Sequence, residues 1–116
     1  MIFHVVLFTP RADSTPAEKA GIIRAFETAL RQIPSIRRFR VGRRVTHQAG
    51  YESLMRVPLD YAAILEFDDL AGLQAYLRHP AHDALGPRFM RLLEASQIFD
   101  YEMQGLDELR RLAGPE

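Results

Sequence analysis

Ile2-Phe3-His4-Val5-Val6-Leu7-Phe8 decides the fold. The run is almost continuously apolar, β-branched or aromatic, and Thr9-Pro10 closes it, so it reads as a strand. Side chains alternate across a strand: Phe3, Val5 and Leu7 take one face, and Ile2, His4, Val6 and Phe8 take the other. Both faces are apolar, which predicts that both are covered. His4 is then an imidazole set among large apolar neighbours.

Downstream of this strand, Arg11 to Asp13 reads as a turn and Ser14 or Thr15 as a helix N-cap. Pro16 stands at the first helical position, and Glu18 has capping-box spacing from Thr15. Ile22, Ile23, Phe26, Ala29, Leu30 and Ile33 recur at helical spacing until Pro34 stops them. Ile36 to Val45 predicts a second strand, with Phe39, Val41 and Val45 alternating against Arg38, Arg40 and Arg44. Gly42 inside it suggests a bulge or a close approach. Residues 46–60 form a long, weakly patterned loop that could cover a cavity. Tyr61 to Phe67 is a third strand, with Tyr61, Ala63, Leu65 and Phe67 on one face.

Asp68 is expected to cap the next helix, which has Leu70, Leu73 and Leu77 as its stripe. Then comes Tyr76-Leu77-Arg78-His79-Pro80-Ala81-His82. A proline removes a backbone donor and pushes the residue before it towards extended geometry, so the chain kinks here between two helices. His82, Leu85, Phe89, Leu92 and Leu93 continue at helical spacing, loosened at Gly86-Pro87. Ala95 to Met103 predicts a fourth strand, and 104–116 a short extension with one turn of helix.

The order strand, helix, strand, strand, helices, strand is that of a ferredoxin-like α+β fold: a four-stranded antiparallel sheet with helices on one face. Helices on one side leave the other apolar face of the first strand in water, and such a patch marks an interface. A homodimer packing two sheets face to face around an interior cavity resolves this. His4 would line either that cavity or the core.

The chain has 116 residues, 47% hydrophobic and 26% charged, which suits one domain and one core. Lys+Arg and Asp+Glu are 15 each, so net charge favours no anionic partner. The run Arg37-Arg38-Phe39-Arg40-Val41-Gly42-Arg43-Arg44 is split by strand alternation between two faces, and is read as a solvated edge or intersubunit ion pairs rather than a nucleic-acid surface. No cysteine is present, which excludes disulfide and thiolate chemistry. The apolar start is too short for a membrane span and has no basic leader, so a soluble, cytoplasmic protein without membrane attachment is expected.

His4-Val5-Val6-Leu7-Phe8, Val41-Gly42-Arg43, Glu66-Phe67-Asp68, the Tyr76–His82 stretch and Ile98-Phe99-Asp100-Tyr101 together resemble the stress-responsive A/B barrel (Dabb) domain family, over about residues 1–103. The resemblance implies a dimeric α+β barrel. Most members have no established activity; one plant branch cyclises a polyketide chain by aldol-type chemistry without a cofactor. By that resemblance His82 would be the general base, Asp100 would orient it, and Tyr76 would hold a substrate carbonyl. His4, Tyr61, Phe8 and Phe89 would line the substrate pocket. The plant branch has a histidine near the start of the third strand, where this chain has Tyr61.

Each of these residues has a structural alternative. A His82–Asp100 pair would equally tie the kinked helix to the last strand, and a tyrosine beside Leu73 and Leu77 packs well in a core. A metal site from His4, His79 and His82 has no supporting spacing, and no metal or cofactor is expected. Three functions follow: a homodimer binding a small apolar or aromatic molecule, a cofactor-independent lyase or cyclase, and a cofactor-free monooxygenase, the last on architecture alone.

Overall fold

In the computed structural model, which describes residues 1–114, the elements are β1 (Ile2–Pro10), α1 (Pro16–Gln32), β2 (Arg38–Arg43), a 3-10 turn (Gly50–Leu54), β3 (Tyr61–Phe67), α2 (Leu70–Arg78), α3 (Pro80–Leu92), β4 (Leu93–Glu102) and α4 (Asp107–Leu112). The strands form one antiparallel sheet in the order β2-β3-β1-β4. This is the expected ferredoxin-like arrangement. The outer end of the extension, Pro115 and Glu116, lies outside the described residues.

Local chemistry sets the helix boundaries. Thr15 caps α1: its hydroxyl accepts from the Glu18 N–H at 3.1 Å, and Glu18 Oε1 accepts from the Thr15 N–H at 3.0 Å. Those contacts hold the Glu18 carboxyl below its usual range, the Thr15 N–H foremost. The cap of α2 is Asp69 rather than the expected Asp68, its carboxylate accepting from the Gly72 N–H at 2.8 Å. Asp68 is instead occupied by Arg37 at 2.8 Å. His79 serves both helices of the kink. It ends α2 in extended geometry, as a residue before proline should, and its Nδ1 accepts from the Ala81 N–H at 3.0 Å to cap α3. Pro87 sits inside α3 without ending it.

The core lies between the helices and one sheet face. Phe67 and Ile33 are its most buried large side chains, packed with Leu65, Leu73, Tyr76, Ala29 and Leu85. Four of the six residues of the expected α1 stripe face inward: Ile22, Ala29 and Ile33 are buried and Phe26 packs against them, whereas Ile23 and Leu30 are exposed. In α2 the inward pair is Leu73 and Tyr76, with Leu70 and Leu77 outside. Gly42 marks no bulge, since β2 pairs with β3 in unbroken register. The arginine run forms ion pairs within the chain: Glu66 is buried, Arg40 approaches it at 3.4 Å, and Arg38 flanks it at 4.0 Å.

The opposite sheet face carries Phe3, Val5, Leu7, Ile64, Phe99 and Tyr101, as the register dictates. No helix of α1–α3 covers it, and Phe99 and Tyr101 are about half exposed. Among the described residues, no helix is long and apolar enough to cross a membrane.

Candidate functional site

Strand register brings the first two site residues together. His4 of β1 lies directly opposite Asp100 of β4. Cross-strand partners stand within side-chain reach, and here His4 Nδ1 donates to Asp100 Oδ1 at 2.6 Å. The pairing fixes the tautomer and leaves Nε2 as the ring's free lone pair. His4 is buried, whereas the Asp100 side chain is 44% exposed, so the carboxylate is the wet end of the pair.

Tyr76 and His82 reach the same place from the kink. Tyr76, in the last turn of α2, is 4% exposed and packs edge-on to His4 (ring centroids 5.7 Å apart) and to His82 (4.7 Å). Burial pushes its hydroxyl up to about 12, so it stays a protonated donor across the neutral range. Its hydroxyl has no hydrogen-bond partner among the described residues. The His82 imidazole is held below its ordinary value, first by burial and then by the nearby His4; Asp83 and the Leu77 carbonyl oppose the shift. His82 is therefore neutral at pH 7, with a lone pair available as a base.

These groups share a cavity of about 300 Å³ between the helices and the sheet. Its other walls are apolar, chiefly Phe26, Leu65, Leu85, Phe89 and Ile98. Leu77, Met90 and Ile98 are both lining and exposed, so they ring the mouth next to the edge strand β4. Gly86 stands one turn after His82; a methyl there would lie 3.5 Å from His82 Cε1. A small volume with a few polar groups at one end is the ordinary form of a small-molecule site.

The structure corrects three sequence expectations. Asp100 does not pair with His82; the carboxylate belongs to His4, because strand pairing sets its direction. Phe8 and Tyr61 lie outside the cavity lining: they stack on each other at 5.5 Å, and Phe8 meets Phe89 edge-on at 5.0 Å, forming core behind the site. The cavity containing His4 sits inside one chain on the helix side, rather than between two sheets. His4, Tyr76, His82, Asp100 and Phe89 all line it. Gly86, Phe26 and the mouth residues were not anticipated. The signal for Gly86 was its place four residues after His82, on the same helix face.

Among the described residues, no group of three His, Asp or Glu side chains is placed to hold a metal ion. His79, the third histidine considered for one, spends its Nδ1 on the α3 cap.

The model of the family described as the stress responsive A/B barrel domain matches residues 2–103. Olivetolic acid cyclase of Cannabis sativa is 25% identical over 101 residues, covering 84% of this chain and 92% of that protein. A dimeric protein of unknown function with a ferredoxin-like fold, from Bacteroides fragilis, is 28% identical, with a TM-score of 0.59 over 88% of this chain and 95% of its own. The hydroxynitrile lyase of Passiflora edulis has the same fold at 14% identity, with a TM-score of 0.71 over 89% of this chain and 93% of its own.

Proposed function

The chain belongs to the stress-responsive A/B barrel domain family, and from that premise we propose that it binds a small apolar or aromatic carbonyl compound and moves a proton α to the carbonyl, as a cofactor-independent lyase or cyclase. One observation carries this reading: two imidazoles, a tyrosine and the Asp100 carboxylate share a cavity whose other walls are apolar, with the Tyr76 ring packed between His4 and His82. His82 is the base. It takes the α-proton, the C–H electron pair moves to the carbonyl oxygen, and Tyr76 donates a hydrogen bond to the enolate that forms. The enolate carbon then either attacks a second carbonyl, whose C=O electron pair moves to its oxygen and takes the proton from His82, or takes the proton back from His82 itself. His4, fixed by Asp100, holds the far side of Tyr76. The similarity to a cyclase supports the same chemistry.

The test needs no natural substrate. Acetophenone in deuterated buffer exchanges its methyl protons through an enolate, and proton NMR reads the rate. The protein should accelerate this exchange, and both His82→Gln and Tyr76→Phe should remove most of the acceleration. No acceleration over buffer, or an undiminished rate in His82→Gln, would refute the reading.

We also propose a homodimer joined through the bare sheet face. The similarity to a dimeric relative supports it, as does the surface area. A compact 13.3 kDa monomer has about 6,500 Å² of accessible surface, whereas this chain has 8453 Å². The excess of about 2,000 Å² per chain is the scale of an obligate interface.

A further inference from the structure

The C-terminal extension carries a helix whose residues are all exposed. Helix α4 has six residues. A helix that short does not persist in water on its own. Its own charges help a little: Asp107 pairs with Arg110, Glu108 pairs with Arg111 at 3.3 Å, and the signs suit the helix dipole. Its leucines are the anomaly. Leu106, Leu109 and Leu112 follow one another at three-residue spacing, so they form a stripe, and they are 63%, 63% and 82% exposed.

The stripe borders the bare side of the sheet. Between α4 and the strands runs an open groove of about 710 Å³, walled by Phe3, Val5, Tyr101 and Met103 on one side and by Leu106 and Leu109 on the other. Those sheet residues belong to the face assigned above to the homodimer. The helix therefore stands over the interface without closing on its own sheet. The molecule's dimensions agree. Its radius of gyration is 16.5 Å, against about 13 Å for a compact chain of this length, so the chain extends beyond a single packed body.

We propose that α4 is a clasp: its leucine stripe docks on a second copy of this chain and closes the groove around it. The occupant is a second copy because the groove is continuous with the bare face, and because the chain's excess surface matches what a stable dimer buries. The clasp also lies wholly beyond residues 2–103, the span of the family match, so it is an addition to the barrel rather than part of it. The inference rests on the dimer reading, and the experiment separates the two.

Sedimentation equilibrium would give the dimer dissociation constant of three proteins: the whole chain, a Leu106→Ser/Leu109→Ser/Leu112→Ser variant, and a chain ending at Gln104. The whole chain should be dimeric. Both altered chains should dissociate at least about tenfold more readily, since each loses buried leucine area. The truncated chain retains every residue of the family match, so its folding does not depend on the stripe. A whole chain that is monomeric at micromolar concentration would overturn the dimer and the clasp together. A dimer whose constant is unchanged in both altered chains would overturn the clasp alone, and would mean that the stripe docks on its own sheet or on a different protein.

Discussion

Burial and one neighbour, His4, decide the charge of His82. Burial and the adjacent His4 both disfavour the imidazolium, and the net shift is downward from 6.5. A group whose folded value is depressed binds fewer protons in the folded state than in the unfolded one. Its contribution to stability is complete above 6.5 and is lost as pH falls through the depressed value. Urea midpoints measured above and below this window should therefore show the protein weakening in acid, and His82→Phe should weaken less across the same interval. Equal losses in the two proteins would show that His82 is not a source of the acid sensitivity. The same depression leaves the neutral base form dominant at pH 7, so stability and the proposed proton abstraction draw on one feature. The residue scale is also where the sequence was hardest to read. His82, Tyr76, His4 and Asp100 were visible as chemistry-bearing residues, and the structure gathers all four at one cavity. The pairing among them was not visible. Asp100 goes to His4 because two edges meet in a register set by the whole β1–β4 ladder, and no short-range pattern encodes that.

Elements whose cause is local were legible. β3 runs from Tyr61 to Phe67 as its alternation predicts, and Thr15, Pro16 and Glu18 start α1 where a capping box should. Faces that depend on neighbouring elements were not: Leu70 and Leu77 match the helical period, yet α2 turns Leu73 and Tyr76 inward because the sheet lies on that side. Helix α3 shows local preference giving way to the site. Gly86 lies in the helix interior, where glycine is less favourable than alanine by about 1 kcal/mol, and Pro87 follows it. The cavity accounts for the glycine. A side chain there would meet the His82 ring at ordinary contact distance, 3.5 Å, and would occupy space above the imidazole. Gly86→Ala should therefore raise stability by up to about 1 kcal/mol while slowing acetophenone exchange, because the methyl group takes volume from a small cavity. A stabilised protein with undiminished exchange would show that substrate does not approach His82 over Gly86.

At the scale of the molecule, the sheet is a partition. Its helix-side face holds the candidate site, lined within one chain by His4 and Asp100 from strands and Tyr76 and His82 from helices. Its other face holds Phe3, Val5, Phe99 and Tyr101, which line no part of that cavity. β1 is what makes both possible. Of its even-numbered side chains His4 and Val6 line the site while Ile2 and Phe8 pack in the core, and its odd-numbered ones build the bare face, so a single apolar strand serves two surfaces that do not meet. The division predicts that association and chemistry are separable. Phe99 is 45% exposed on the bare face, so a lysine there costs the monomer little packing, yet in a face-to-face dimer it places a charge in a desolvated apolar interface. Phe99→Lys should run as a monomer of 13.3 kDa by light scattering, keep the wild-type circular dichroism spectrum, and retain acetophenone exchange within a small factor per chain. If the monomeric variant is folded but loses exchange, the second copy completes or rigidifies the cavity, and the site does not belong to one chain. If Phe99→Lys remains a dimer, the subunits meet through some other surface, and the apolar face of β1 and β4 requires a different cover.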